Sequence, residues 1–253
     1  MPLIESTRNE TVKRARQLAT RKGRLEQGLH FIEGDRLVRE AVISGAEIHE
    51  AFIEEGHELM AAVLEGAGAR VYTLKRSVME TLTLTETPQW VCATVKTPSV
   101  PVPEYYPEGL IVALDAVQDP GNLGTILRTA EAFALGAVVL CEGCADPFSP
   151  KVVRSTMGAV FRRPVWTCTG QELHTLLRRS GIPLYGAALR PDAMDARQAD
   201  YSRCALAIGS EGRGLSREVL DLCDKTVLIP MSPRCESLNA AIAATVVLWE
   251  MYR

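Results

Sequence analysis

The sequence predicts an α/β protein with two parts: a small N-terminal α/β module and a larger C-terminal domain built on a parallel sheet. Three observations carry this. Residues 110–115, 137–141, 204–209 and 225–230 are apolar runs without polar alternation, and helical patterns separate them. Strands of that kind are buried on both faces and belong to parallel sheets covered by helices. Residues 97–108 hold four prolines in twelve positions, a density that neither a helix nor a central strand tolerates. Residues 1–97 alternate short strand and helix patterns. The division is therefore 1–97 for the first domain, 98–108 for a proline-rich linker and 109–253 for the second.

In the first module, residues 8–20 read as a basic helix. Residues 35–44 place Leu37, Val38, Ala41 and Val42 on one helical face,. Residues 50–53, 71–74 and 90–95 read as strands, and 56–66 and 75–82 as helices. In the second domain, residues 122–133 form a helix with Leu123, Ile126, Leu127, Ala130 and Phe133 inward. Residues 171–180 form another, followed by a strand near 183–189, and 238–252 close the chain as a long, mostly apolar helix.

Composition bounds the function. Apolar residues make up 47% of the 253, enough for a sizeable core, and the net charge is −3. That sum argues against a simple nucleic-acid binder, but the distribution is uneven. Arg8, Lys13, Arg14, Arg16, Arg21, Lys22 and Arg24 face only Glu10 across residues 8–24, and Lys151, Arg154, Arg162 and Arg163 form a second cluster. A charge run of this kind is also what a solvated face looks like. No apolar run reaches the roughly 18–20 residues that span a bilayer, and the first residues lack the pattern of a signal peptide. The seven cysteines are odd in number and sit mostly in apolar stretches, which reads as reduced thiols in the cytoplasm,.

Ligands of open parallel sheets bind beyond the carboxyl ends of the strands, and three strands here run into unusual segments. The first is Asp115-Ala116-Val117-Gln118-Asp119-Pro120-Gly121-Asn122-Leu123-Gly124, continuing through Arg128 to Ala130, where Asn122 can cap the following helix,. The second is Gly209-Ser210-Glu211-Gly212-Arg213-Gly214, with three glycines in six residues; it has neither the dinucleotide order nor a Walker A lysine. The third is Ile229-Pro230-Met231-Ser232-Pro233-Arg234-Cys235-Glu236-Ser237-Leu238-Asn239, which enters the last helix, with Ser237 or Asn239 available as its cap,. Taken singly, each is also what a well-capped strand–loop–helix connection looks like.

Taken together and in this order, Asn-x-Gly-x-x-x-Arg-Thr-Ala, Ile-Gly-Ser-Glu-Gly-x-Gly-Leu and Ile-Pro-Met…Glu-Ser-Leu-Asn resemble the SpoU/TrmH family of SPOUT RNA methyltransferases. Residues 147–159 resemble the family's intervening segment. Phe31-Ile32-Glu33-Gly34 lies in a half that resembles the family's substrate-binding module, which is related to RNA-binding ribosomal proteins. Pro233 stands where the family commonly has glycine, and Cys235 where it has an aliphatic residue.

The resemblance implies a SPOUT fold with a trefoil knot, which pattern alone would not suggest. It implies S-adenosylmethionine (SAM) as cofactor, a homodimer whose sites are completed across the interface, and methyl transfer to a ribose 2′-hydroxyl of structured RNA. Ribosomal RNA ranks ahead of transfer RNA by analogy with the ribosomal-protein module. By the same resemblance Gly209, Gly212, Ile229, Met231 and Leu238 line the SAM pocket, and Arg128, Asn122, Glu211, Ser237 and Asn239 form the reaction site. A guanidinium keeps its proton, so Arg128 suits a grip on phosphate and on a developing alkoxide better than literal base catalysis. Lys13, Arg14, Arg16, Arg21, Lys22 and Arg154 are candidate phosphate contacts.

Two rival readings stand beside this one: a non-catalytic RNA-binding protein of the same fold, and a nucleotide-dependent oxidoreductase. The intact Asn122, Arg128, Glu211 and Asn239 set disfavours the first, and the glycine order disfavours the second. Cys141-Glu142-Gly143-Cys144 spells a C-x-x-C, but zinc needs a second ligand pair. No metal site is expected.

Overall fold

The computed structural model describes residues 1–107, 110–232, 234–235 and 237–253. Glu108, at the end of the proline-rich stretch, and Pro233 and Glu236, in the third loop, lie outside them. The chain divides into two compact units, Met1–Ser99 with Phe148–Arg162, and Val100–Pro147 with Arg163–Arg253.

The first unit begins with β1 (Leu3–Ile4), α1 (Glu10–Gln17) and α2 (Arg21–Gln27). The basic helix expected over 8–20 is α1, and a second, unexpected helix follows because Thr20 takes up extended backbone and its side chain accepts the Gly23 amide,. There follow β2 (Leu29–Glu33), α3 (Asp35–Ile43), β3 (Ile48–Glu54), α4 (Glu58–Gly66), β4 (Arg70–Leu74), α5 (Arg76–Leu82) and β5 (Val91–Lys96). The sheet order is β1-β4-β3-β5-β2, with β5 antiparallel to both its neighbours. Successive side chains point to opposite faces, so Ile32, Ile53 and Ala93 join one core with α3 and α4. Phe31, Phe52 and Cys92 join the other, with Val12, Leu18, Val78 and Met79.

The second unit continues with β6 (Leu110–Leu114), α6 (Pro120–Ala132) and β7 (Ala137–Leu140). The segment Phe148–Arg162 then packs with the first unit, whereas a division at 97 and 109 leaves it with the second. Its helix α7 (Pro150–Thr156) gives Val153, and the turn after it Val160, to the core beneath β2 and β5. Phe148 and Phe161 flank the buried His30 ring at centroid distances of 5.1 and 6.1 Å.

The chain returns through β8 (Val165–Thr167), α8 (Gly170–Ser180), β9 (Leu184–Ala187), β10 (Met194–Asp195), β11 (Cys204–Ile208), α9 (Arg217–Leu222), β12 (Lys225–Leu228) and α10 (Ala240–Tyr252). The seven strands are ordered β10-β12-β9-β11-β6-β7-β8, and every pairing is parallel. Ile111, Ala113, Ala205 and Ala207 face α8 and α9. Val112, Leu114 and Leu206 alternate to the opposite face and are equally buried,. Helices α6 and α10 pack against each other. The proline-rich stretch is anchored to this unit: the Tyr106 amide donates to Ser180 Oγ at 2.9 Å, and its ring meets Trp166 edge-on at 5.2 Å.

Among the described residues no helix is long and apolar enough to cross a membrane, and no group of three or more His, Cys, Asp or Glu could hold a metal ion.

Candidate active site

The carboxyl ends of β9, β11 and β12 open into a cavity of about 430 Å3. It is walled by residues 187–190, 208–215 and 227–229, by Met231, Ser237 and Leu238, and by Ala240, Ala243 and Val247 of α10. Its shape starts with Gly209. A Cβ there would stand 2.0 Å from the Gly214 carbonyl carbon and 2.2 Å from the Leu215 amide nitrogen, both backbone. Only glycine lets the loop fold back on itself. The loop closes through Ser210 N–H to Gly214 O at 3.0 Å and Gly214 N–H to Ser210 O at 2.9 Å, with Gly214 in the left-handed region,.

The loop's far end is tied by Asp115, at the tip of β6 and only 5% exposed. Its Oδ2 accepts the Ser216 amide at 2.6 Å, and Ser216 Oγ caps α9 through Val219 N–H. In the sequence Asp115 stands out as the carboxylate closing an apolar strand, but nothing there assigns it this tether. Asp115→Ala strands a partly buried N–H and is expected to destabilise the protein by about 1–3 kcal/mol, measured as a lower urea midpoint with an unchanged slope.

Gly209, Glu211, Gly212, Ile229, Met231, Ser237 and Leu238 all line the cavity. Asn122 and Asn239 do not line it, but Asn122 bridges Glu211 and Asn239. Asn122 Nδ2 donates to Glu211 Oε1, and Asn239 Nδ2 donates to Asn122 Oδ1 at 3.0 Å. Asn239 Oδ1 in turn caps α10, accepting Ala241 N–H at 2.9 Å and Ile242 N–H at 3.2 Å. Asn122 does not cap its own helix. Asp119 does, with Pro120 in the first turn, and this frees the Asn122 side chain for the bridge. One residue from each of the three motifs is thereby joined.

Arg128 lies elsewhere. It is exposed on α6 without a partner among the described residues. It sits about 9 Å along the helix from Asn122 and about 120° around it, and it does not line the cavity. Residues 187–190, which form a full wall, went unnoticed in the sequence. The signal was a third strand end beside β11 and β12.

The C-x-x-C run is a strand-end turn. Cys141 is buried, Cys144 Sγ donates to Leu114 O at 3.2 Å, and burial pushes the Cys144 thiol up to about 11.

Of the candidate phosphate contacts, Arg16, Arg21 and Arg154 are exposed and unpaired among the described residues. Lys13 pairs with Glu10 at 2.7 Å and Lys22 with Glu26 at 3.7 Å, both at the surface, where such pairs hold weakly,. Arg14 is committed to the buried Glu50 at 2.9 Å. Arg24 is turned inward, donating to Leu18 O and Ala19 O.

The cavity fits SAM on its own features. Its volume falls within the roughly 300–1,000 Å3 of small-molecule sites. Ile208, Leu215, Val227 and Val247 give it apolar walls. The backbone of the glycine loop lies bare where a polar cofactor needs amide donors.

Comparison with known proteins agrees. Residues 109–249 match the SpoU rRNA Methylase family, and residues 9–93 match the MRM3-like substrate binding domain. The 23S rRNA (guanosine(2553)-2′-O)-methyltransferase RlmP of Bacillus subtilis is 34% identical, covering 99% of each chain. The AdoMet-bound rRNA methyltransferase of Sinorhizobium meliloti superposes with a TM-score of 0.90 at 33% identity, covering 98% of this chain and 96% of that one. The SpoU methyltransferase AviRb of Streptomyces viridochromogenes, in complex with AdoMet, gives 0.86 at 30% identity over 97% and 98%. By its three joined motifs and by these matches, the chain belongs to the SpoU rRNA methylase family.

Proposed function

We propose that this SAM-dependent methyltransferase places its methyl group on a ribose 2′-hydroxyl of large-subunit ribosomal RNA, in the cytoplasm. The observation that carries the reading is the Glu211–Asn122–Asn239 bridge at a cavity built by glycine-loop backbone. The relative of nearly identical length acts on 23S rRNA, and all seven cysteines are free thiols.

When bound, SAM supplies an electrophilic methyl group held on a sulfonium. The backbone around Gly209 and Gly212 and the side chains of Ile229, Met231 and Leu238 hold it. A ribose hydroxyl is a weak nucleophile near neutral pH, so the protein must position it and favour loss of its proton. Among the described residues no histidine lines the cavity. Ser237 and the Asn122–Asn239 amides offer hydrogen bonds that fix the ribose. Arg128 grips the neighbouring phosphate and stabilises the alkoxide as it forms.

Arg128 does not line the cavity of its own chain, and in this reading it serves the site of a second copy. The surface for that copy is the exposed Trp249 and Tyr252, packed on the half-buried Phe133, with the exposed Ile242 and Val246 beside them on α10,. The trefoil knot belongs to the same reading. Its support is the convergence on one cavity of three loops far apart in sequence, the last leading into α10 beside α6.

The test is transfer of labelled methyl from SAM to ribosomal RNA from cells lacking the gene, with the product mapped by mass spectrometry. A ribose-methylated nucleotide is expected; a base-methylated product, or none, rejects the reading. The N-terminal unit holds the RNA through phosphate contacts, so affinity falls steeply with salt. Replacing Arg16 and Arg21 by alanine is expected to lower the slope of log affinity against log salt by about two, measured by filter binding from low to moderate salt.

A further inference from the structure

The N-terminal unit carries a depression of about 420 Å3, separate from the cavity described above. One wall is the turn at the end of β2, Glu33-Gly34-Asp35-Arg36. A second is Thr85 and Gln89. The third is Arg154 and Met157, from the segment that returns to this unit.

Both carboxylates on its walls are already engaged. The buried Glu33 accepts the Leu84 amide at 2.8 Å and the Thr85 hydroxyl. Both Asp35 oxygens accept from Arg39 Nε, at 2.9 and 3.0 Å. The guanidiniums of Arg36 and Arg154 are exposed and have no partner among the described residues. Each presents five N–H donors suited to phosphate oxygens. Gln89 donates one N–H to Thr87 O at 3.3 Å. Its carbonyl oxygen and second N–H remain, an acceptor and donor side by side, which is the pattern that pairs with a nucleobase edge. The buried Leu37 and the Met157 thioether supply the apolar surface.

We propose that this depression binds a single unpaired nucleotide of the RNA substrate. Its phosphate lies on Arg36 and Arg154, and its base lies over Leu37 and Met157 with an edge on Gln89. Sequence-selective RNA recognition works through such splayed-out bases. The inference deepens the ribosomal-RNA reading and rests on it. A free nucleoside monophosphate carries the same chemistry, so the experiment separates the two sources.

The full-length protein, Arg36→Ala/Arg154→Ala and Gln89→Ala are compared in binding a transcript of large-subunit ribosomal RNA and, separately, adenosine and uridine monophosphate. SAM affinity is measured for each. Loss of RNA affinity on the order of tenfold per guanidinium removed is expected, with SAM affinity unchanged. Gln89→Ala should weaken RNA binding without altering its salt slope. In a transcript carrying 4-thiouridine, photocrosslinks should fall on peptides containing Leu37, Gln89 or Met157.

Wild-type RNA affinity in the double variant overturns the inference and leaves the ribosomal-RNA reading standing. An unaffected Gln89→Ala overturns nucleotide capture in favour of plain backbone contact. Tight, arginine-dependent binding of the free monophosphates, with RNA affinity untouched, overturns RNA as the source. A wild-type protein that binds no transcript overturns both readings.

Discussion

Arg128→Ala should reduce methyl transfer by at least ~10³-fold, about 4 kcal/mol of transition-state stabilisation, while SAM binds as in the wild type. The two readouts separate because Arg128 does not line the cavity of its own chain. Calorimetric titration with SAM and a single-turnover labelled-methyl assay on ribosomal RNA check the pair of statements. Arg128→Lys keeps the charge but loses the planar fork, and should recover only a small part of the rate. If the arginine acts across a dimer, mixing Arg128→Ala chains with chains whose cofactor loop is disabled should restore a fraction of activity, because one hybrid site then has both intact parts. Strong residual methylation by Arg128→Ala alone would remove this residue from the chemistry.

Gly209→Ala should weaken SAM binding on the order of 100-fold, and more where the loop cannot refold. The added methyl meets the backbone of Gly214 and Leu215 at 2.0–2.2 Å, and no side-chain rotation relieves a backbone clash. Overpacking of this kind costs about 1–3 kcal/mol, occasionally more, and the double hydrogen bond between Ser210 and Gly214 is what must open. Gly212→Ala is the control. Its Cβ meets no protein atom within 4 Å, so its thermal midpoint should match the wild type. Any loss of affinity there reports the cofactor itself. Equal SAM affinity in Gly209→Ala and wild type would contradict the account of the loop.

Local pattern carried much of the fold. Strands β6 and β11 are unbroken apolar runs, and only a sheet covered on both faces gives that signal. Strand β2 went unread because Leu29-His30-Phe31-Ile32-Glu33 breaks the pattern with two polar residues. Both are buried and partnered, His30 with Thr97 and Glu33 with Leu84 and Thr85, and such compensation comes from distant positions. The short α7 and α9 are too brief to show a period. The glycine loop and the third loop were legible as chemistry because their composition has few structural excuses. The tether from Asp115 to Ser216 was not, since it spans 101 positions. Nor was the outward direction of Arg128, which depends on where α6 is set against α10.

The return of Phe148–Arg162 to the N-terminal unit means that the polypeptide passes between the units three times, at 99/100, 147/148 and 162/163. One proteolytic nick in the proline-rich stretch therefore leaves residues 1–99 without a covalent link to the rest, held only by packing against Phe148–Arg162. A fragment ending at Ser99 would fold without Val153 and Val160 in its core and without the rings around His30. Chimaeras that exchange RNA preference between relatives must transplant both pieces, because a graft joined at the prolines alone would set one parent's helix against the other's sheet.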